Sequence, residues 1–492
     1  MTTDVIVAHP DRLYIGGQWT PAAPGERLKL VNPATEAEFG SVVQAGAADV
    51  ERAVAAAREA FDRGPWPRMK PAERAALMRA LGTELEARGA ELEAAWIGQV
   101  GVPVGMARGV GMGAGALLGY YAALAEGTAW EDVRPSAGFQ SKVAVVVKEP
   151  VGVVAAINPW NGPLIGMLMK VAPALAAGCT IVMKPAPETP LDAYLIAEAA
   201  EAVGLPAGVI NLLPADREAS DLLVRHPGVD KVAFTGSTAV GLHVAQICGA
   251  RMARYTMELG GKSAAILLDD FDPAHTGPML APLVTQLCGQ ACINYSRILV
   301  PRVRYKDHVD SLASAMAAIS VGDPWSETTA MGPLAMARQL SRVREYIAKG
   351  QAEGARLATG GGRPQGLDRG FFIQPTVFSD ATNDMVIAQE EIFGPVTAMI
   401  PYDSEDEAVA IANDSGFGLS GGVYTNDTDR AYAIARRIRT GHFTQNGREF
   451  DLTNPFGGFK KSGVGREGGP EGMEAYVELK TVFLPEVPRA LA

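Results

Sequence analysis

At 492 residues the chain exceeds what one hydrophobic core supports, so two or three domains are expected. Its 48% apolar, 20% charged and 7% aromatic content is that of a water-soluble globular protein, and 55 glycines with 33 prolines imply many short connections. A net charge of -11 argues against a nucleic-acid partner, whose phosphates require a positive face.

The opening stretch MTTDVIVAHPDRLYIGGQWT lacks a basic segment followed by an apolar core, so no secretory signal is read there. Residues 41–125 read as Ala-rich helices. One opens at Ala47 after Gly46, and another at Pro71 with Glu73 in its first turn. The glycines of residues 109–115 imitate a dinucleotide loop, but no strand precedes them, and close helix packing is the better reading. Residues 142–148 (KVAVVVK) form a β-rich run outside the alternation that follows.

From Val151 onward buried strands alternate with helices. Strands are expected at 151–157, 180–183, 209–213 and 231–235, with helices from about 163, 191, 217 and 239. That alternation predicts an α/β fold built on a doubly wound, Rossmann-like parallel sheet. Residues 164–183 are mostly apolar, yet Lys170, Pro173 and Gly178 interrupt them, so a helix, turn and strand are expected rather than a membrane span. A second α/β segment runs from Ser263 to about Pro455, followed by a Gly/Pro-rich loop at 455–459 and a strand at 475–483.

Ligands of such sheets bind outside the carboxyl ends of the strands. Three of these ends are suggestive: Asn158-Pro159-Trp160-Asn161, Lys184 with Pro185, and Gly236-Ser237 before a helix, where free amides and the helix dipole can meet a pyrophosphate. Singly, each reads better as a strand-terminal turn. Two further stretches carry reactive groups. Glu258-Leu259-Gly260-Gly261-Lys262 offers a carboxylate that can act as a base, and Gly289-Gln290-Ala291-Cys292 offers a thiol in a tight loop. Together they suit attack on a carbonyl and hydrolysis of the resulting thioester. The thiolate must be favoured by the site, or the proton removed during attack. The four cysteines (Cys179, Cys248, Cys288, Cys292) make no disulfide framework, so a reducing, cytoplasmic setting is expected. Cys288 and Cys292 have no further ligand placed to complete a metal site, so none is expected.

Six motifs, taken in order and spacing, make this chain similar to the aldehyde dehydrogenase superfamily, from Tyr14 to Val482. They are Pro159-Trp160-Asn161, Phe234-Thr235-Gly236-Ser237, Glu258 to Lys262, Gly289-Gln290-Ala291-Cys292, Glu391-Ile392-Phe393-Gly394-Pro395 and Pro455-Phe456-Gly457-Gly458. The resemblance implies an NAD(P)-dependent, hydrolytic enzyme that converts an aldehyde to its acid. Cys292 would be the nucleophile, Asn161 the oxyanion donor, Glu258 the base that activates water, and Lys170 with Glu467 a proton relay. Ile157, Trp160, Lys184, Gly236, Ser237, Leu259, Glu391 and Phe393 would hold the cofactor. NAD is expected, with NADP as the alternative, because Pro187 stands where NAD-preferring members often place a ribose-binding Glu; Glu188 follows one residue later.

By the same resemblance Gly162, Ile165, Met169, Gln286, Ile293, Phe450 and Phe456 wall the substrate pocket. None is basic, which disfavours semialdehydes of dicarboxylic acids and points to an apolar, bulky aliphatic or aromatic aldehyde. The implied domains are a cofactor domain (1–126 and 150–259), a catalytic domain (260–463) and a small β oligomerisation arm (127–149 and 475–492) that would build a homodimer or homotetramer. Two alternatives stay open. A CoA-acylating relative would release acyl-CoA and typically lacks the Glu at 258. A catalytically silent binding or structural protein of the same fold would bind cofactor without turnover.

Overall fold

The computed structural model describes residues 7–23, 25–138 and 140–491. Residues 1–6 of the stretch read for a secretory signal, and Phe139 and Ala492 of the expected arm, lie outside it. The strands Val153–Ile157 and Thr180–Lys184 are apolar along nearly their whole length and buried at every position, as strands with helices on both faces must be. They belong to a six-stranded sheet whose order is Gly463–Val464, Arg254–Glu258, Lys231–Thr235, Val153–Ile157, Thr180–Lys184, Ile210–Leu212. All pairings are parallel except that of the two-residue Gly463–Val464 edge. Helices Pro163–Ala177, Leu191–Ala202, Arg217–Arg225 and Thr238–Arg251 make the crossovers, close to the expected positions.

The chain winds outward from Val153–Ile157 through Thr180–Lys184 to Ile210–Leu212. It then returns to the other side of Val153–Ile157 with Lys231–Thr235. The switch point therefore lies between Ile157 and Thr235, where the following loops diverge and leave a crevice. Residues 158–162 and Gly236-Ser237 rim that crevice.

A second sheet of seven strands begins directly after the first. Four residues separate Glu258, the last residue of Arg254–Glu258, from Ser263, the first of Ser263–Leu267. Its order is Arg356–Thr359, Thr376–Ser379, Val396–Tyr402, Tyr295–Pro301, Ser263–Leu267, Ser420–Tyr424, His442–Gln445, parallel except at the Arg356–Thr359 edge. Arg297 braces this junction: it is 1% exposed and donates to the carbonyls of Lys262 (3.1 Å), Ile411 (2.8 Å) and Ala412 (2.9 Å).

A third, antiparallel sheet of three strands has Val143–Pro150 between Glu131–Pro135 and Val477–Leu484. Its C-terminal strand starts two residues later than expected, because the short helix Gly469–Glu474 runs up to buried Tyr476. Residues 41–43 also differ from the sequence reading. They end the strand Glu38–Val43, which pairs with Arg27–Val31, and the helical stretch begins at Ala47.

The glycines of 109–115 open and pack the helix Val110–Gly127. A Cβ on Gly111 would press against the backbone of Leu85 and Gly89, and one on Gly115 would collide with Glu86, so these helices meet at glycine distance. No helix among the described residues is long and apolar enough to cross a membrane.

Candidate active site

Cys292 sits in the loop between helix Pro273–Thr285 and strand Tyr295–Pro301. Three consecutive residues there, Leu287 (φ 52°), Cys288 (φ 55°) and Gly289 (φ 70°), are left-handed. Only glycine adopts that conformation cheaply, so Leu287 and Cys288 hold backbone strain of order 1–3 kcal/mol each. At 289 no side chain fits, because a Cβ would run into the backbone of Gly394 and Pro395.

Cross-bonds hold the strained loop. The Gln290 side chain accepts from Ala335 N (3.0 Å) and donates to Leu287 O (2.8 Å), and Asn294 Nδ2 donates to Val284 O (3.3 Å). The carbonyl of Cys292 lies against Gly261, where a Cβ could not be accommodated. The loop is thus fixed on the four-residue junction between the two sheets.

Asn161 reaches this loop from the first sheet. Its Nδ2 donates to Gln290 O (2.9 Å), while its own carbonyl accepts from Trp96 Nε1 (3.1 Å). One amide N–H is committed and the other remains for an oxygen held beside Cys292. It does not cap the next helix; Gly162 occupies the cap position of Pro163–Ala177.

Burial sets the electrostatics. The Cys292 thiol is pushed up to about 12, by desolvation first and then by the charges of Glu391 and Glu258, while the N–H groups of Cys292 and Ile293 pull it down. The site therefore does not hold a resting thiolate, and the proton must leave during attack. Glu258 is 2% exposed and neither carboxylate oxygen has a hydrogen-bond partner among the described residues. Desolvation, and after it Glu467, raises its carboxyl well above the ordinary range, against the opposing pull of Lys170 and Arg466. An unbonded, desolvated carboxylate is a strong base for its kind.

Behind Glu258 lies a buried ion pair, Lys170 Nζ to Glu467 Oε1 at 2.9 Å. Lys170 also donates to Thr235 Oγ1 (2.6 Å) and Gly166 O (3.3 Å), so all three of its protons are used. Thr235 is the register partner of Glu258, which places the pair next to the carboxylate without a direct hydrogen bond to it.

A cavity of about 870 Å³ opens at the switch point, and Trp160, Asn161, Gly236, Ser237, Leu259, Glu391, Phe393 and Cys292 line it. Trp160 and Phe393 meet edge to face at 5.3 Å. Glu391 Oε1 accepts from Gly261 N (2.9 Å), and its other oxygen occupies the space that a Cβ on Gly260 would need. Ser237 caps helix Thr238–Arg251 by accepting from Val240 N (3.4 Å), so the positive end of a 14-residue helix begins at the cavity wall. Ile157 and Lys184 do not line it. They are register neighbours at their strand ends, and burial draws the Lys184 ammonium down to about 8. At the neighbouring turn Glu188 accepts from Arg338 (2.5 Å).

Several of the expected pocket-wall residues pack together with Cys292. Met169 and Phe456 are buried in the cluster against which Ile165, Cys292 and Ile293 pack. Phe450 is 46% exposed and stands edge-on to Phe456 at 5.3 Å. Gly162 faces open space, with no atom within 4 Å of a Cβ built there. Gly162→Phe should therefore fold, narrow the entrance and raise KM for branched or aromatic aldehydes at least about tenfold over that for a short linear one. Equal KM changes for both in steady-state assays would contradict this placement.

Sequence reading missed three cations. Arg342 and Lys461 line the cavity, and Arg342 donates to Glu391 O (2.6 Å). Arg448 bonds the side chain of Gln286 in the pocket wall. No motif marks them, because helix Ala337–Ala352 and the 446–455 loop reach the site only through tertiary packing. The one available signal was the position of Arg448, two residues before Phe450.

The aldehyde dehydrogenase family model matches residues 19–482. The geranial dehydrogenase of Castellaniella defragrans is 47% identical over 476 residues, covering 96% of this chain and 98% of that protein. The 3-succinoylsemialdehyde-pyridine dehydrogenase of a Pseudomonas species is 42% identical, covering 96% and 98%. Among solved structures, a Mycobacterium tuberculosis aldehyde dehydrogenase complexed with NAD+ superposes with a TM-score of 0.94 at 47% identity, over 96% of this chain and 98% of that one. A mutant of aldehyde dehydrogenase C from Pseudomonas syringae, complexed with NAD+ and octanal, gives 0.91 at 39% identity, over 96% and 97%. Sequence and backbone agree over 96% of the chain, and the chain belongs to the aldehyde dehydrogenase family.

Proposed function

We propose that this protein oxidises an aldehyde with an apolar chain to its carboxylic acid, with NAD as the oxidant, in two stages at Cys292. The carrying observation is the convergence on one strained loop of a partly exposed thiol, the Asn161 amide and a carboxylate, Glu258, free of hydrogen bonds. Cys292 Sγ adds to the carbonyl carbon and gives up its proton to water in the cavity that it lines. The free N–H of Asn161 and the Cys292 amide hold the resulting oxyanion, each donor being worth roughly 3 kcal/mol in the transition state. Bound NAD supplies the hydride acceptor that turns the adduct into a thioester. Glu258 then takes one proton from water, whose oxygen attacks the thioester carbon; the acid leaves as its carboxylate, and the second water proton passes to the Cys292 sulfur and restores the thiol. Lys170 and Glu467 pass the proton taken by Glu258 onward.

The cavity fits the dinucleotide in size and chemistry. Trp160 and Phe393 would frame the nicotinamide, Glu391 its ribose, and Gly236, Ser237 and the helix start the pyrophosphate; Leu259 completes the wall. Ile157 and Lys184 would act from the neighbouring strand ends, at the adenosine ribose. The NAD+ complexes of the relatives support this assignment. The chain divides by this reading into the cofactor domain (1–126 and 150–259), the catalytic domain (260–463) and the arm (127–149 and 475–492). On the arm's open edge Leu479 is 69% and Phe483 62% exposed. Pairing of that edge with a neighbour's sheet would build a homodimer or homotetramer. The free thiols suit a cytoplasmic setting.

The test is product analysis. Incubation with NAD and octanal should yield NADH and free octanoate in equal amounts, and added coenzyme A should leave the product unchanged. Formation of octanoyl-CoA would refute the hydrolytic reading.

A further inference from the structure

Arg448 follows strand His442–Gln445, and its side chain turns back across the loop that carries Cys292. One terminal nitrogen donates to Leu283 O (3.1 Å) and lies 3.5 Å from Asn294 Oδ1; the other donates to the side-chain oxygen of Gln286. These acceptors bracket Cys292, nine and six residues before it and two after, and all are neutral. Nε makes no hydrogen bond within the described residues.

The surroundings do not balance the charge. The groups that act on this guanidinium are Tyr295, Tyr424 and Cys292, with no carboxylate among them, and burial pulls its pKa below the usual value. Tyr295 is already committed to Gly447 O (2.8 Å). Enclosed arginines elsewhere in the chain meet an acid or backbone carbonyls, and Arg74 shares the unpartnered Nε. Arg88 pairs with Glu198 (2.6 Å), and Arg297 fills its donors with backbone oxygens. The free edge of the guanidinium is open to solvent beside the Cys292 loop, and the bond to Gln286 is itself exposed, so a ligand can reach the unused donors.

We propose that Arg448 binds a carboxylate carried at the far end of the aldehyde, so that the substrate class is an oxo acid with an apolar chain between its two ends. This rests on the aldehyde-oxidising function proposed above and refines it. Ile293, Phe450 and Phe456 contact the chain, and the guanidinium takes the carboxylate in a two-pronged, charge-assisted bond. The pocket-wall positions read from sequence hold no base; the base enters from a loop position beside them.

The experiment compares oxo acids from 4-oxobutanoate to 8-oxooctanoate with their methyl esters, by steady-state NADH formation at saturating NAD. Acid and ester share the aldehyde and chain and differ in the charge alone. At the best chain length the wild-type protein should favour the acid at least about tenfold in kcat/KM. Arg448→Met should lower the acid-to-ester ratio about 100-fold, mainly through KM, and Arg448→Lys should restore part of it. A wild-type preference for the ester at every length overturns the proposal, even if the Met variant fails to fold. So does an equal loss for acid and ester in that variant, which a loop clamp or a thiolate-stabilising charge would produce. Oxidation of the esters without charge preference overturns the role of Arg448 alone; no oxidation of any of these aldehydes overturns both this role and the function beneath it.

Discussion

Cys292→Ala is expected to abolish aldehyde oxidation, to below about 10⁻⁴ of the wild-type rate, while NAD binding persists. The loss is this complete because no second nucleophile can take over. Cys288, four residues away, is 2% exposed, held in a left-handed backbone, and driven far above the ordinary thiol range by burial. Serine at 292 would fare little better, since an alcohol in this desolvated site is harder still to deprotonate. The check is NADH absorbance for turnover, with quenching of tryptophan fluorescence for cofactor binding; Trp160 lines the cavity. Residual turnover of even one per cent in the alanine variant would move the covalent step away from Cys292.

Glu258→Gln is expected to separate the two half-reactions. Steady-state turnover should fall by about 10² to 10³, the usual scale for removal of a general base. A burst of NADH persists, slower than in the wild type, because Cys292 lines the open cavity and its proton can leave to water there. The thioester then accumulates, visible in the intact-protein mass as one acyl group. In the wild-type protein deacylation should slow as the pH falls through the raised carboxyl pKa, above the usual range for Glu. The variant should lose that pH dependence.

The same group carries a stability signature of opposite sense. The folded carboxyl holds its proton above the unfolded value near 4.5. Between those two values the folded state binds a proton that the unfolded state has lost, so stability falls as the pH rises, by at most about 1.4 kcal/mol per unit. Glutamine removes that loss. The variant should melt at a higher temperature than the wild type at pH 8, with the gap closing towards pH 5. A variant that is slow in catalysis but no more stable would mean that Glu258 finds partners in solution.

Where strands and helices alternate with uninterrupted apolar runs, from Val153 to Thr235, the sequence was enough to place four strands of the first sheet, while the Arg254–Glu258 strand, the strand order and the switch point come from the structure. KVAVVVK and the C-terminal run read as strands outside the alternation, and they pair with each other, whereas their joint role as an arm rests on the resemblance alone. Other features depend on contacts that no local pattern records. The Gly463–Val464 edge has only two residues, and Gly463 adopts φ 144° against the Met257 carbonyl. Leu287 and Cys288 take a conformation that residue preferences assign to glycine, and they do so because Gln290 and Asn294 hold the loop. Lys184 carries the expected charge but lies behind the cavity wall. Arg448 was hidden because its relation to Gln286 spans 162 positions of chain.

The junction at residues 259–262 has a mechanical consequence. Glu258 terminates a strand of one sheet, whereas Cys292 stands on a loop anchored in the other. Their separation is therefore a measure of how the two sheets sit on each other. Motion within either sheet leaves it nearly fixed, but a slide along their interface converts directly into a longer or shorter gap between carboxylate and thiol. Gly261, pressed on the Cys292 carbonyl, is the contact that sets the zero of that scale.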